Sequence, residues 1–243
     1  SKLSDITTTS TTDTTTTIAS DDPAQADDVN LWRFATFVLC IIWATNFPII
    51  KVIYDEVPTL DPSLFLSLRF TIASLFFIPS FFQNFKNKSI FLLQAFAVGV
   101  TIFPGHFGQS MGLMYSSADK GAFICSLSVV WVAMLDSFIK RKFDIQTTIS
   151  AVVAVCGTAL LELQGSSPPT SDDLWFLLQP VGFGTGYILL ERLLKKYPGE
   201  EYVQPTTGMK MLSMSFATTF WAISKGHTFA DITPLFDSQP AMI

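Results

Sequence analysis

Five polar side chains that could bind a solute lie within long apolar runs of the sequence. They are Asn46, Arg69, His106, Gln109 and Lys210. A cationic side chain in the middle of a lipid-crossing segment costs about 2.5–3.5 kcal/mol on insertion scales, unless protein or water surrounds it. Amide, imidazole and cationic groups offer hydrogen bonds and positive charge. These residues therefore predict a binding site inside the apolar part of the chain.

Arg69 is the most consequential of these residues, because it lies inside the apolar segment SLFLSLRFTIASLFF. One interpretation is that it binds an anion or gates a pathway, with Lys210 as its counterpart later in the chain. The other interpretation is structural: the side chain extends to the membrane surface or pairs with Asp136 or Glu162. The sequence leaves both interpretations open.

The stretch WATNFPIIK brings Trp43, Thr45 and Asn46 together with a proline. Pro48 has no amide hydrogen, so in a helix it leaves the carbonyl of Ala44 without its usual partner. Hydrogen-bonding side chains beside a freed carbonyl favour a site that lines a solute pathway. The alternative is a set of polar contacts between neighbouring helices.

His106 and Gln109 lie three residues apart in IFPGHFGQSMG, on one face of a helix. They could form a substrate or proton site, or His106 could be the axial ligand of a bound pigment or other metal-bearing ring. The third interpretation is a histidine that is hydrogen-bonded between helices. Outside the pigment alternative, the sequence predicts no cofactor and no metal site.

No catalytic constellation is visible in the sequence. The two histidines lie in unrelated segments, no serine or cysteine stands beside a plausible base, and no carboxylate pair occurs. The three cysteines show no paired spacing and are expected to behave as small apolar residues. We therefore predict that the protein is not an enzyme.

The composition indicates that lipid is the main solvent of this chain. Of its 243 residues, 49% are hydrophobic and only 14% are charged, against about 25% charged in an ordinary soluble domain. The mean hydropathy is +0.42. A net charge of −5 argues against a nucleic-acid partner, because nucleic acid attracts basic proteins.

Seven apolar runs are long enough to cross a bilayer core, which takes about 20 residues of helix. They cover residues 34–54, 63–82, 90–113, 121–139, 147–164, 174–192 and 207–224. The runs are continuous, whereas the strands of a membrane barrel would alternate polar and apolar residues. The sequence predicts an all-α integral membrane protein, a bundle whose main partner is the lipid bilayer.

Basic residues alternate between the connectors of these spans. Eight of them, including Lys140 and Arg141, lie on the connectors of one side, against three at the edges of the other. By the positive-inside rule, the N-terminus and the basic connectors are predicted on the cytosol-like side.

A second string, FGTGYILLE, matches the opening WATNFPIIK at an offset of 140 residues. The aligned pairs are Trp43 with Phe183, Thr45 with Thr185, Asn46 with Gly186, Phe47 with Tyr187 and, to within one position, Arg69 with Lys210. The implied repeat is five spans long, so the second copy enters the membrane from the opposite face. Inverted repeats of this kind are typical of transporters, whose substrate site lies between the copies.

This pattern divides the chain and selects the candidate site. The predicted divisions are a disordered, acidic, Thr-rich tail at 1–30, a first five-helix repeat at 31–165 and an incomplete second repeat at 172–243. The predicted solute-binding residues are Trp43, Thr45, Asn46, Arg69, His106, Gln109, Tyr187 and Lys210.

Three stretches of this chain resemble the EamA group of the drug/metabolite transporter superfamily. They are WATNFPIIK with the Arg-bearing second span, GLMYSSADKGAFICSLSVVWVAML, and ISAVVAVCGTALLEL. The resemblance covers about residues 35–224. It implies ten helices in two five-helix repeats that move small organic solutes by alternating access. The chain differs in carrying Ala133 where the family usually has proline, in lacking the glutamate that often follows that span, and in having seven spans.

Two functions are consistent with these observations. The first is a transporter of a small organic solute or metabolite. The alternative is an accessory or structural subunit of a larger membrane assembly, such as a photosynthetic, pigment-bearing complex, in which other membrane subunits are partners. We interpret the start without methionine and the acidic tail as a trace of import into an organelle such as a plastid.

Overall fold

The computed structural model describes residues 23–82, 88–141, 145–162, 168, 170–228 and 231. This part of the chain is 89% helical and contains no strand. The α-helices are α1 (Pro23–Ala44), α2 (Asn46–Glu56), α3 (Pro62–Phe76), α4 (Lys88–Tyr115), α5 (Ala118–Ser126), α6 (Ser128–Lys140), α7 (Ile145–Glu162), α8 (Leu178–Lys196) and α9 (Val203–Ser224). Short 3₁₀ helices cover Ile78–Phe82, Ser171–Leu177 and Glu200–Tyr202.

Each of the seven predicted spans overlaps described helices, and the all-α membrane class is confirmed. Among the described residues, three helical stretches are long and apolar enough to cross a membrane: Asn30–Glu56, Lys88–Tyr115 and Ala118–Lys140. The helix Pro62–Phe76 is apolar but shorter. Large apolar side chains also point outward, for example Phe138, which is 78% exposed. Such a surface is stable against lipid rather than water.

The described chain divides into two compact units, with the boundary between Ala44 and Thr45. The first unit contains α1, and the predicted tail lies outside the described residues as far as residue 22. The boundary falls at Thr45, where α1 ends and α2 begins, three residues before Pro48. The helix is thus interrupted within WATNFPIIK, the stretch in which a proline loosens the hydrogen-bond ladder.

The second matched string has a different conformation. It lies inside α8, which is continuous from Leu178 to Lys196. Its glycines bring helices together: a Cβ atom added to Gly182 would lie 2.4 Å from the backbone nitrogen of Gly105 in α4. Close approach of two backbones is the usual role of small residues between membrane helices.

The core of the second unit forms where α4 packs between α8 and α9. Its buried apolar side chains include Leu66, Phe91, Val98, Ile102 and Met214. The packing of α3 on α9 has a polar seam, because Ser67 and Thr71 pair with Thr219 and Ser215, each at 2.7 Å between hydroxyl oxygens. The two pairs lie one turn apart and run in opposite order, so α3 and α9 are antiparallel.

Candidate functional site

Arg69 and Asn46 lie together, as two of the predicted solute-binding residues. The Nη2 group of Arg69, in the middle of α3, donates a hydrogen bond of 3.0 Å to Oδ1 of Asn46, the first residue of α2. Both side chains are partly buried. The polar partner of the guanidinium is therefore a neutral amide, which orients the cation without neutralising it.

The ion pairs considered from the sequence do not form with Arg69 in the described part of the chain. Asp136 pairs with Lys140 instead, at 2.6 Å between Oδ2 and Nζ. Glu162 is the last residue of α7, and the structure does not describe its side chain. Within the described part of the molecule no carboxylate pairs with Arg69, which leaves the site with an uncompensated positive charge.

Tyr54 and Ser110 lie on the same helices as Asn46 and His106, although neither is among the predicted solute-binding residues. The Tyr54 hydroxyl lies 2.5 Å from the Ser110 hydroxyl, and both side chains are buried. Tyr54 lies on α2, the helix that also carries Asn46, the partner of Arg69. A signal was present in the sequence: Tyr54 is eight residues after Asn46 on one face of α2, and Ser110 is one turn after His106.

His106 lies between two phenylalanine rings. Its ring centre is 4.9 Å from that of Phe70 and 4.8 Å from that of Phe183, both in edge-to-face geometry. Its Nδ1 atom is buried and has no hydrogen-bond partner within the described residues, and Gln109, also buried, lies three residues further along the same helix. A pigment ligand would need open space beside a ring nitrogen, and this packing does not support that alternative.

Arg69 in α3 and Lys210 in α9, which the sequence had paired through the repeat, both belong to helices that pack on α4, the helix of His106. Arg69 precedes Phe70, whose ring contacts that of His106. Lys210 is partly buried, its backbone lies against Gly99 of α4, and its ammonium group has no hydrogen-bond or ion-pair partner in the part of the chain that is described. The site is therefore electropositive inside an apolar bundle, where such a field attracts anions.

The remaining predicted residues belong to other segments of the chain. Trp43 belongs to α1, in the separate N-terminal unit, and Thr45 lies at the break between α1 and α2. Tyr187 lies on α8 and is 39% exposed. No described contact joins it to Arg69, and its neighbour Thr185 instead accepts a hydrogen bond of 3.0 Å from Trp131. Among the described residues, no group of three histidine, cysteine or acidic side chains could hold a metal ion.

A cavity of about 300 Å³ lies between α3 and α9, the helices of predicted spans two and seven. Ser67 and Thr219 contribute to its lining, together with Leu64 and His227. The hydrogen-bonded pair of Ser67 and Thr219 thus lines a space large enough for small molecules. Ser67 is two residues before Arg69 on α3.

An ion pair joins the start of α5 to the segment before α8. Lys120 donates to Oδ2 of Asp173 at 2.9 Å and to the carbonyl of Pro168 at 2.8 Å, and Ser116 also donates to Asp173. Burial raises the pKa of Asp173, but the hydrogen bonds from Ser116, from the Thr170 amide and from Lys120 outweigh it and hold that pKa below its usual value.

A second ion pair joins the start of α3 to the end of α9. Lys225 donates to Oδ2 of Asp61 at 2.9 Å, and Nε2 of His227 lies 3.5 Å from the same oxygen. Burial raises the pKa of Asp61, and the hydrogen bonds from Ser63 and Lys225 lower it further than burial raises it. Both ion pairs connect the predicted first repeat to the predicted second repeat, at helix ends away from the basic connectors.

Comparisons with known proteins agree with this architecture. A protein of Archaeoglobus fulgidus named "Uncharacterized transporter" is 33% identical over 122 residues, which are 48% of this chain and 36% of that protein. A protein of Pseudomonas aeruginosa named "Probable biotin transporter" is 25% identical over 174 residues, 69% of this chain and 58% of that protein. This chain thus spans less than two thirds of either relative. No solved structure matches it.

The match to a family model shows which family the chain belongs to. The model described as the EamA-like transporter family matches residues 30–163, more than half of the 243 residues. This match confirms the family resemblance that the three quoted stretches of sequence indicated, and members of this family are membrane transporters rather than enzymes. The chain belongs to the EamA-like transporter family.

Proposed function

We propose that this protein moves a small, negatively charged organic solute across a membrane by alternating access, and that Arg69 binds the negative group. The observation that carries the proposal is the partner of Arg69: it is the amide of Asn46, 3.0 Å away, and no carboxylate of the described residues pairs with the guanidinium. A guanidinium has five N–H donors in a planar fork. Asn46 takes one of them and orients the group, and the remaining donors suit a carboxylate.

The surroundings of Arg69 support an anion rather than a neutral solute. Arg69 on α3 and Lys210 on α9, the predicted repeat mates, belong to two helices that pack on α4, and the Lys210 backbone lies against Gly99 of α4. A cation held away from water inside a bundle is stabilised by a bound counter-ion. The relative named for biotin fits this class, because biotin is a carboxylic acid.

Alternating access is supported by the contacts between the predicted repeats. The packing of α3 on α9 is polar along the cavity that contains Ser67 and Thr219. The ion pairs of Asp173 and Asp61 join the two repeats at one end of the bundle. Ion pairs of this kind can separate when one repeat moves against the other, which is how inverted-repeat transporters expose a site to each side in turn.

The test is solute uptake into liposomes that contain the purified full chain. We would offer labelled biotin and a panel of small carboxylates, each beside its neutral amide, to the wild type and to Arg69→Ala. We expect at least one carboxylate to enter, its amide to be excluded, and the variant to lose about 30-fold or more of the uptake. The control is Arg33→Ala, which removes an exposed arginine from α1.

Three results would contradict the proposal: equal uptake of carboxylate and amide, unchanged uptake by Arg69→Ala, or no uptake of any carboxylate. A variant that inserts poorly and has normal uptake per molecule would show that Arg69 anchors helices and does not bind solute. That result would favour the accessory-subunit function.

A further inference from the structure

A groove of about 260 Å³ lies between α4 and α8, near the start of α4 and the end of α8. Its wall is apolar along most of its length, where Ala97 and Val98 of α4 face Leu189 and Leu193 of α8. The groove shares no residue with the Arg69 neighbourhood. We refer to it as the α4–α8 groove.

Two cations line the α4–α8 groove. Arg192 and Lys196 lie one turn apart on α8, and Nζ of Lys196 is 3.4 Å from Oε1 of Gln94 on α4. No acidic residue is among the described residues that line the groove. The nearest acidic side chain in sequence, Glu191, is already hydrogen-bonded to Lys195. The charge of the groove is therefore not compensated by the described protein around it.

The position of the groove relates it to the membrane surface. Arg192 and Lys196 belong to one of the three basic connectors that the positive-inside rule places on the cytosol-like side. The end of α8 thus lies where lipid headgroups begin, and the apolar wall extends from there towards the bilayer core. Basic pockets between helices on this side of a membrane are suited to anionic headgroups.

We propose that the α4–α8 groove binds an anionic phospholipid. The headgroup phosphate lies between Arg192 and Lys196, and an acyl chain follows the apolar wall. The ligand is specified by both parts of the groove: the two cations select negative charge, and the apolar wall excludes a small hydrophilic anion as the preferred occupant. A zwitterionic lipid offers the same chain with no net charge and is expected to bind more weakly.

Native mass spectrometry of the purified full chain tests the proposal. The protein in detergent is titrated with phosphatidylglycerol and, separately, with phosphatidylcholine of the same acyl chains. We expect phosphatidylglycerol to be retained preferentially, and Arg192→Gln/Lys196→Gln to weaken its retention roughly 10- to 30-fold. The matched control is Lys140→Gln/Lys195→Gln, which removes two charges from the same side but outside the groove.

A second variant tests the apolar wall without changing any charge. Ala97→Trp fills the groove with a side chain from an exposed position on α4, and we expect it to reduce phosphatidylglycerol retention to a similar extent. Its thermal melt in detergent shows whether the fold is kept. If Ala97→Trp retains phosphatidylglycerol as well as the wild type does, the assignment of the acyl chain to this groove is overturned.

Three further outcomes would overturn the lipid site. One is equal retention of the two lipids by the wild type. Another is an equal loss of phosphatidylglycerol in the control double variant, which would assign the effect to general surface charge. The third is displacement of phosphatidylglycerol by inorganic phosphate at a comparable concentration, which would show that the groove binds free phosphate.

Discussion

Arg69 and Asn46 are joined across α3 and α2 by a hydrogen bond of 3.0 Å between a guanidinium and an amide. The two residues are 23 positions apart in sequence and belong to the first two predicted spans. Because asparagine is neutral, the pair keeps a full positive charge inside the bundle. An aspartate at the same position would keep the geometry and remove the charge, which makes position 46 a sensitive test of what Arg69 binds.

Asn46→Asp is expected to reduce uptake of an anionic solute about tenfold or more, because the new carboxylate competes with the solute for the guanidinium. The loss should appear mainly as a higher KM. Stability in detergent should be kept, since the guanidinium of Arg69 would donate to a charged carboxylate where it now donates to a neutral amide. Asn30→Asp, at an exposed position of α1, adds the same charge and should leave uptake unchanged. An unaltered KM in Asn46→Asp would show that Arg69 does not contact the solute.

Close packing of α4 on α8 gives a prediction about stability. A Cβ atom on Gly182 would lie 2.4 Å from the backbone nitrogen of Gly105, whereas one on Gly157 would meet nothing within 4 Å. We expect Gly182→Ala to destabilise the protein by about 1–3 kcal/mol through overpacking. We expect Gly157→Ala to raise stability by about 0.5–1 kcal/mol, because alanine is the better helix former. Thermal melts in detergent compare the two, and equal effects would contradict the close contact.

The helices could be predicted from the sequence because each apolar run must bury its backbone groups within itself in lipid. The partner of Arg69 could not be predicted in this way. Its choice between Asn46, Asp136 and Glu162 depends on which helix faces α3, and hydropathy carries no information about neighbours. The same limit explains Tyr54 and Ser110, whose hydrogen bond joins residues 56 positions apart. It also explains Tyr187, which the repeat alignment selected but which lies on α8 without a described contact to Arg69.

The two halves of the repeat alignment also had different outcomes. WATNFPIIK contains a break because proline removes a backbone donor. FGTGYILLE contains glycine instead, and glycine in a packed helix allows contact without ending the helix. The inverted relation between the halves remains a prediction.

The Lys120–Asp173 ion pair predicts how stability depends on pH. The folded-state pKa of Asp173 is lowered, so its contribution to stability is complete above the unfolded value of about 3.9 and is lost as the pH falls through the folded value. Removing one partner of a hydrogen-bonded pair that is largely shielded from water costs about 1–3 kcal/mol. We expect Asp173→Asn to lose about that amount at pH 7 and to melt with a weaker dependence on acid than the wild type.

The control for this prediction is the Asp136–Lys140 pair, which is exposed and lies one turn apart on α6. Asp136→Asn should change stability by less than about 1 kcal/mol, since water screens such pairs. Melting curves between pH 3 and pH 7 distinguish the two variants. Equal losses in both would show that the Asp173 pair is not buried in the working protein.

Gln179 is fully buried on α8, one turn before Phe183, and neither atom of its amide has a hydrogen-bond partner within the described part of the chain. A buried amide without a partner costs about 1–3 kcal/mol. Gln179→Met keeps the length of the side chain and removes that cost, so we expect the variant to be more stable by about that amount. Gln204→Met changes an exposed glutamine and should have little effect on the melting temperature.

Gln179→Met should also be a poorer transporter than the wild type. Phe183 packs on His106, whose Nδ1 atom is also buried without a partner among the described residues. Two unpaired polar groups at the contact of α4 and α8 are retained at a cost in stability, which is the pattern expected where a working site rather than the fold selects the residues. We therefore expect Gln179→Met to lower uptake per inserted molecule while raising the melting temperature. A variant with a higher melting temperature and wild-type uptake would show that the buried amide has no role in transport, and a lower melting temperature would show that Gln179 has a hydrogen-bond partner in the membrane.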